Sequence, residues 1–567
     1  MNETYRSLLL LRDAGLLTAL AIAWLVPTFG SHFFSSIERW GSRLARHRAG
    51  FLIAIAILVI VFRLSVLPLV KIPVPQNHDE FSYLLAADTF AHGRLANPPH
   101  PLWIFFETFH VNQMPTYASK YPPAQGVVLV LGQVLGHPWI GVLLSVACLC
   151  AAITWALQGW VPPKWAFLGG ILAATHFGAI NYWMESYWGG AAAGIGGALV
   201  FGALPRILRR QRVRGAILFA TGIGILANSR LFEGGLFSII CLTALGWLLL
   251  RRKMINRAAI WTRVVAPMTA TLVVVVIFIG YYNWRVTGNP LLLPYVVNNR
   301  SYMAVPAFQW EKLGPPHQYL NPQFEAFYGS QRATWSREHF DWTWNGFKVG
   351  FLEKVSRLQA FYAPPALGIP IIFALLLFRR NAKVRFCVLV SVIFIAGLLC
   401  ILWLLPHYAA PFTVTVFLLI VLGLRSLRRW SFKGRPVGVG WTRALVSFHI
   451  LLLAMQIVAA AVLLHGVTHR ESEWAQARAH LESKLESTPG QHLVLVQYSP
   501  RHDANREWVY NRADIDNAKV VWVREIPGQD LKPLLNYFRQ RKLWLVKPDA
   551  TPAPTLEPVQ PADILNP

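Results

Sequence analysis

Apolar runs long enough to cross a bilayer recur along this chain, and alternate gaps between them are filled with arginine and lysine. One such run, FLIAIAILVIVFRLSVLPLV, occupies residues 51–70. About twenty apolar residues in a helix span the ~30 Å hydrocarbon core. The basic clusters read RLARHR (43–48), RILRRQRVR (206–214), RRKMINR (251–257), RRNAKVR (379–385) and RSLRRWSFKGR (425–435). Cationic loops stay on the cytoplasmic side during insertion, so these clusters fix the direction of each run. With the clusters inside, runs at 51–70, 138–157, 165–182, 189–208, 215–227, 235–250, 264–282, 361–378, 386–405, 412–424 and 444–465 alternate outward and inward. The segment AGLLTALAIAWLVPTFG (14–30) has no small-residue cleavage site after it. It reads as a further span, a re-entrant piece or an interfacial helix.

The expected fold class is therefore an all-α polytopic membrane protein of about 11–12 transmembrane helices, ending in a small extracytoplasmic α/β domain. A composition of 54% hydrophobic and 14% charged residues is too apolar for a soluble enzyme of this length. The net charge of +26 lies in separated inner loops, so it reports topology and argues against a nucleic-acid partner. All five cysteines fall in apolar runs, which excludes a disulfide framework.

The expected organisation has four parts. An N-terminal hydrophobic and basic segment covers 1–49. A membrane domain covers 50–465, with long outer loops at 71–136 and 287–360. The α/β domain covers 466–548, and a Pro-rich tail, 549–567, is expected to be disordered. Within the α/β domain HLVLVQYS, KVVWVRE and KLWLVKP read as strands, with DLKPLLNYFRQR as a helix between the last two.

The first outer loop begins PVPQNHDEFSYLLAADTFAHG (73–93). Asn77 with Glu80 makes a capping box, and Asp79 and Glu80 fall in a first helical turn where negative charge is favoured. Capping explains the pair by itself. Other outer segments add polar groups at the same depth. ASKYPPAQG brings Lys120 and Tyr121, held extended by the following prolines. NYWMESYWGG brings Glu185, an acid costly to keep beside hydrocarbon unless paired or used. ANSRLFEGG brings Arg230 and Glu233, and PHYAAP brings His407 and Tyr408. Tyr83 and Arg285 complete the candidate set. Each has a plain alternative: belt aromatics, snorkelling cations or rim histidine. The convergence of acids and bases from distant turns is what points to a site.

The stretches HDEFSYLLAADTFAHGRL, SKYPPAQGVVLVLG and HYAAP resemble the GT-C superfamily of integral-membrane glycosyltransferases, in the protein mannosyltransferase and aminoarabinose transferase branch. The resemblance implies transfer of a sugar from a polyprenyl-phosphate donor to an acceptor at the outer face of a bacterial inner membrane; whether that acceptor is a glycan, a lipid or a protein is left open, and the small α/β tail, which departs from the family pattern, gives no reason to expect a protein. It implies Asp79 as base or acceptor-positioning group with Glu80 beside it, and Glu185 as a further acid. Lys120, Tyr121, Tyr83, Arg230, Glu233, Arg285, His407 and Tyr408 are then the expected substrate-binding residues. Whether a divalent metal takes part is left open. A transporter or flippase for lipid-linked sugars would instead need sites near the bilayer midplane, and a plain anchor would need no cavity. The loop stretch RSYMAVPAFQWEKLGPPHQYL (300–320) is placed to cover a site at this face.

Overall fold

A computed structural model describes residues 3–251, 257–303, 305–315, 317–339, 343–462 and 473–565. Among them, eight helices are long and apolar enough to cross a membrane, and the chain is an integral membrane protein. They are Arg48–Val66, Pro138–Trp160, Gly190–Arg210, Leu231–Leu250, Arg257–Thr287, Ala382–Leu399, Pro406–Leu427 and Val437–Val458. Trp344–Tyr362 and Pro365–Leu375 form a ninth if taken as one span. They are bent by 105° at Pro364 and Pro365, where the missing N–H groups break the helical ladder.

Every expected run contains a helix among the described residues, and the difference from eleven spans lies in length. The runs at 165–182 and 215–227 form Pro163–Phe177 and Val213–Ala227, each of 15 residues. At 1.5 Å per residue such helices reach only about 22 Å, short of the hydrocarbon thickness. The run at 444–465 begins earlier, in Val437–Val462, and its last residues lie outside the described ones.

The N-terminal segment forms two helices. Glu3–Leu25 runs beside Val437–Val462, where Gly440 lets the Ala23 carbonyl approach closely. Ser31–Leu44 is amphipathic and lies at the end of the bundle that carries the basic clusters. Its Glu38 carboxylate accepts from Arg428 at 2.7 Å and from Arg443 at 3.2 Å.

Small residues set the packing of the bundle, as expected where lipid removes most of the hydrophobic drive between helices. Gly190–Arg210 reads GAAAGIGGALVFGAL along its buried length. A methyl group added at Gly197 would lie 2.0 Å from the Pro411 carbonyl oxygen, and one at Gly423 would lie 1.7 Å from that of Pro370.

At the opposite end from the basic clusters the two long loops and the C-terminal unit form one body. The C-terminal sheet orders Val520–Arg524, His492–Val496, Lys542–Val546 and Leu556–Pro558, with the first three strands parallel and the last antiparallel. The fourth strand comes from the Pro-rich tail, expected to be disordered. It pairs Leu556 with Val546, and Val559 packs on the core, so a boundary at 548 would cut the sheet. Alternation gives the central strand two buried faces. Val494 and Val496 pack with Trp508, Trp522 and Leu485 of helix Glu473–Ser487. Leu493 and Leu495 pack with Leu534, Phe538, Phe105, Phe106 and Leu85, the last three from the first long loop. The sheet and the first loop therefore share a core.

Candidate active site

The first long loop enters helix His78–Ala91 through the expected capping box: Glu80 accepts the Asn77 backbone N–H at 3.0 Å. Glu80 also accepts from the backbone N–H groups of Gln76 at 2.8 Å and Tyr187 at 2.9 Å. Burial raises its carboxyl, and these donors oppose that. Its oxygens are committed to holding the helix start against the turn at 181–190. Glu80, expected as a catalytic acid, thus accepts backbone N–H groups on both of its oxygens.

Asp79, one residue earlier, presents its carboxylate elsewhere. Tyr121 donates its hydroxyl to Asp79 Oδ1 at 2.5 Å, and His110 Nδ1 is hydrogen-bonded to the same oxygen. The Asp79 side chain keeps 22% of its surface exposed. Burial alone would raise this carboxyl, but His110, Lys120 and the Tyr121 hydroxyl outweigh it and hold it well below the usual carboxylate range. His110 reaches this position from a left-handed backbone, φ 61°, an uncommon conformation for a residue with a Cβ. Its carbonyl is fixed by Ser82 Oγ at 2.7 Å, so the strained turn is tied to the helix that carries Asp79. Burial pushes the Lys120 ammonium down to about 8, against the pull of Asp79. Tyr83 stacks on Tyr121 with ring centroids 4.6 Å apart.

Lys120 and Tyr121 also line a cavity of about 450 Å³. Its polar groups include Arg230, Glu233, Tyr295 and Tyr408; its wall is apolar, with Ile279, Leu293, Phe308 and Trp403 among its residues. Arg230 immediately precedes helix Leu231–Leu250 and lays its guanidinium 4.5 Å from the Tyr408 ring centre. The Lys120 ammonium lies 5.2 Å from the ring centres of both Tyr121 and Tyr295. One wall belongs to Arg257–Thr287, the most outward-facing of the long helices. Ala307 and Phe308, from the stretch expected to cover a site, line the cavity and are tied to it by the Leu402 N–H donating to the Ala307 carbonyl at 2.9 Å.

Three expected residues are placed elsewhere. Glu185 is buried in an ion pair with Arg63 at 3.0 Å, and Arg63 also donates to the Val70 and Lys71 carbonyls. That pair ties the end of the first span to the 181–190 turn, and Glu185, expected as a further acid, does not line the Lys120 cavity. His407 is buried, its Nδ1 hydrogen-bonded to the Tyr182 hydroxyl at 2.7 Å, and Trp188 packs on its ring. Arg285 is exposed at the end of helix Ala266–Thr287, beside Trp284, and lines neither cavity nor carboxylate. Among the described residues no three His, Cys, Asp or Glu side chains are grouped to hold a metal ion.

The C-terminal unit reaches this site, which the sequence gives no reason to expect. The Tyr510 hydroxyl is hydrogen-bonded to His78 Nδ1 at 2.7 Å, and the Tyr510 ring stacks on Phe81 at 4.0 Å and 2°. Arg478 donates to the Trp508 and Tyr510 carbonyls and lies over the Phe81 ring. Asp88 accepts the Ala513 N–H at 2.7 Å, and buried Arg524 donates to Glu507 and to the Glu107 carbonyl. Residues on both sides of Asp79 are therefore held by the far end of the chain.

No family model and no curated protein matches the chain. Among solved structures it is similar to the apo oligosaccharyltransferase of Archaeoglobus fulgidus, with TM-score 0.46 and 12% identity over 79% of this chain. It spans 62% of the length of that structure. The archaeal oligosaccharyltransferase AglB in complex with an inhibitory peptide and a dolichol-phosphate gives TM-score 0.46 and 10% identity, over 88% of this chain and 69% of that one. ArnT from Cupriavidus metallidurans, bound to undecaprenyl phosphate, gives TM-score 0.45 and 12% identity over 88% and 92%.

Proposed function

We propose that this chain is a GT-C-type membrane glycosyltransferase that moves a sugar from a polyprenyl-phosphate carrier to a hydroxyl-bearing acceptor. The reaction takes place at the loop end of the bundle, which the charge rule puts outside the cytoplasmic membrane. The observation that carries this reading is the placing of the Asp79 carboxylate, held by Tyr121 and His110, next to a cavity that brings Lys120, Arg230 and Glu233 together within apolar walls. An isoprenoid chain needs an apolar wall, and its phosphate needs fixed donors. Lys120 and Arg230 supply them as charge-assisted hydrogen-bond donors.

In the proposed step the acceptor oxygen attacks the anomeric carbon and the bond from that carbon to the phosphate oxygen breaks. The acceptor proton passes to the Asp79 carboxylate, and the departing phosphate keeps the electron pair, stabilised by Lys120 and Arg230. Asp79 is a weak base at rest because Lys120, His110 and Tyr121 stabilise its charge. A bound phosphate shares the Lys120 charge, so the carboxylate gains basicity when the donor is in place.

The test is donor turnover by purified protein in lipid nanodiscs, with a panel of radiolabelled polyprenyl-phosphate sugars. Release of polyprenyl phosphate by the native chain, reduced by about 10²-fold or more in Asp79→Asn, is expected. Full turnover by Asp79→Asn would remove the carboxylate from the mechanism. Lack of turnover with every donor would remove the function.

A further inference from the structure

A second cavity, of about 280 Å³, lies between the two long loops and is lined by Trp103, Glu107, Asn112, Gln113, Tyr302 and Tyr319, among others. Its chemistry is opposite to that of the first. Among the described residues no Lys, Arg or His lines it, and its one acidic side chain is Glu107, which accepts the Tyr302 hydroxyl at 2.9 Å. Gln113 is 1% exposed and donates Nε2–H to the Phe106 carbonyl, yet its Oε1 meets no hydrogen-bond partner among the described residues. A buried amide oxygen left this way has a desolvation penalty of about 1–3 kcal/mol unless something donates to it. Asn112, by contrast, is fixed on both atoms, by the Pro294 carbonyl and the Asn298 amide.

We propose that this cavity binds the sugar ring of an uncharged saccharide acceptor. Indole and phenol faces cover the C–H face of a pyranose, while an amide oxygen and a carboxylate accept from its hydroxyls. The absence of cations in the lining disfavours phosphorylated or acidic sugars. The volume is near the lower end of the roughly 300–1,000 Å³ range of ligand clefts, enough for a terminal ring with the rest of the glycan outside. Position agrees with this role: Asn112 and Gln113 follow His110, the residue bonded to Asp79, within one short segment. The assignment of the ligand as acceptor rests on the glycosyltransferase reading; the assignment of the cavity as a saccharide site does not.

The experiment is saturation-transfer NMR on the full chain in nanodiscs, with neutral monosaccharides, their 6-phosphates and uronic acids as probes. Neutral sugars are expected to give transfer. Anionic ones should bind at least about tenfold more weakly, and Trp103→Ala or Gln113→Leu should weaken the neutral sugars by about tenfold. Thermal unfolding of each variant, with Trp103→Phe as a milder replacement, separates lost binding from lost fold. The idea is overturned if no neutral sugar gives transfer, if anionic sugars bind better, or if the folded variants bind like the native chain. Donor turnover is measured separately on the native chain. Saccharide binding without donor turnover would leave this site standing and dismiss the glycosyltransferase.

Discussion

At the scale of single residues, two adjacent acids divide two tasks. Glu80 holds backbone, and Asp79 holds a charge beside the cavity. The Lys120 ammonium, depressed to about 8 by burial, gives the sharpest test. A cationic donor-binding group is present below its pKa and lost above it, so kcat/KM for donor should fall as pH rises through about 8. Lys120→Arg should move that limb to higher pH. A second prediction concerns Arg63. Arg63→Leu removes the guanidinium from a buried carboxylate, a change that typically destabilises by about 3–5 kcal/mol. It should lower the unfolding midpoint in detergent, with part of the loss recovered in the Arg63→Leu, Glu185→Leu double variant. The same pair shows where reading by residue type stops. An isolated acid beside hydrocarbon must be paired or used, but its partner lies 122 positions earlier in the chain. The capping box is local, so Asn77 and Glu80 were legible. The role of His110 depends on one left-handed backbone angle that nothing in FHVN announces.

At the scale of elements, apolar run length located the eight helices long enough to cross a membrane, and short runs rich in Val and aromatics located the three parallel strands. Neither signal found the Leu556–Pro558 strand, too short and proline-rich to alternate, which exists because Trp544–Val546 offers a free edge. Nor did either reveal the contact between Glu473–Pro558 and the first loop, a matter of surfaces rather than of pattern. Tyr510→Phe tests that contact. Loss of the 2.7 Å hydrogen bond with the Phe81 stack retained should reduce transfer by several-fold, with little change in the unfolding midpoint. Tyr510→Ala removes both and should cost stability as well. Equal activity of Tyr510→Phe and the native protein would make the hydroxyl a bystander.

At the scale of the whole molecule, charge sets the direction of the bundle and packing sets its shape. Single cysteines at Arg501, in the C-terminal unit, and at Arg210, at the basic end, should differ in intact cells: an impermeant maleimide is expected to label the first and not the second. Reversed labelling would put the site on the cytoplasmic side. The Tyr510–Phe81 stack joins the C-terminal unit to the first long loop. The surroundings of the carboxylate at residue 79 are therefore completed by a segment made 432 positions after its neighbour His78. A chain cut after helix Val437–Val462 should keep its membrane helices yet lack the stacking and hydrogen-bond partners that surround residues 78–88.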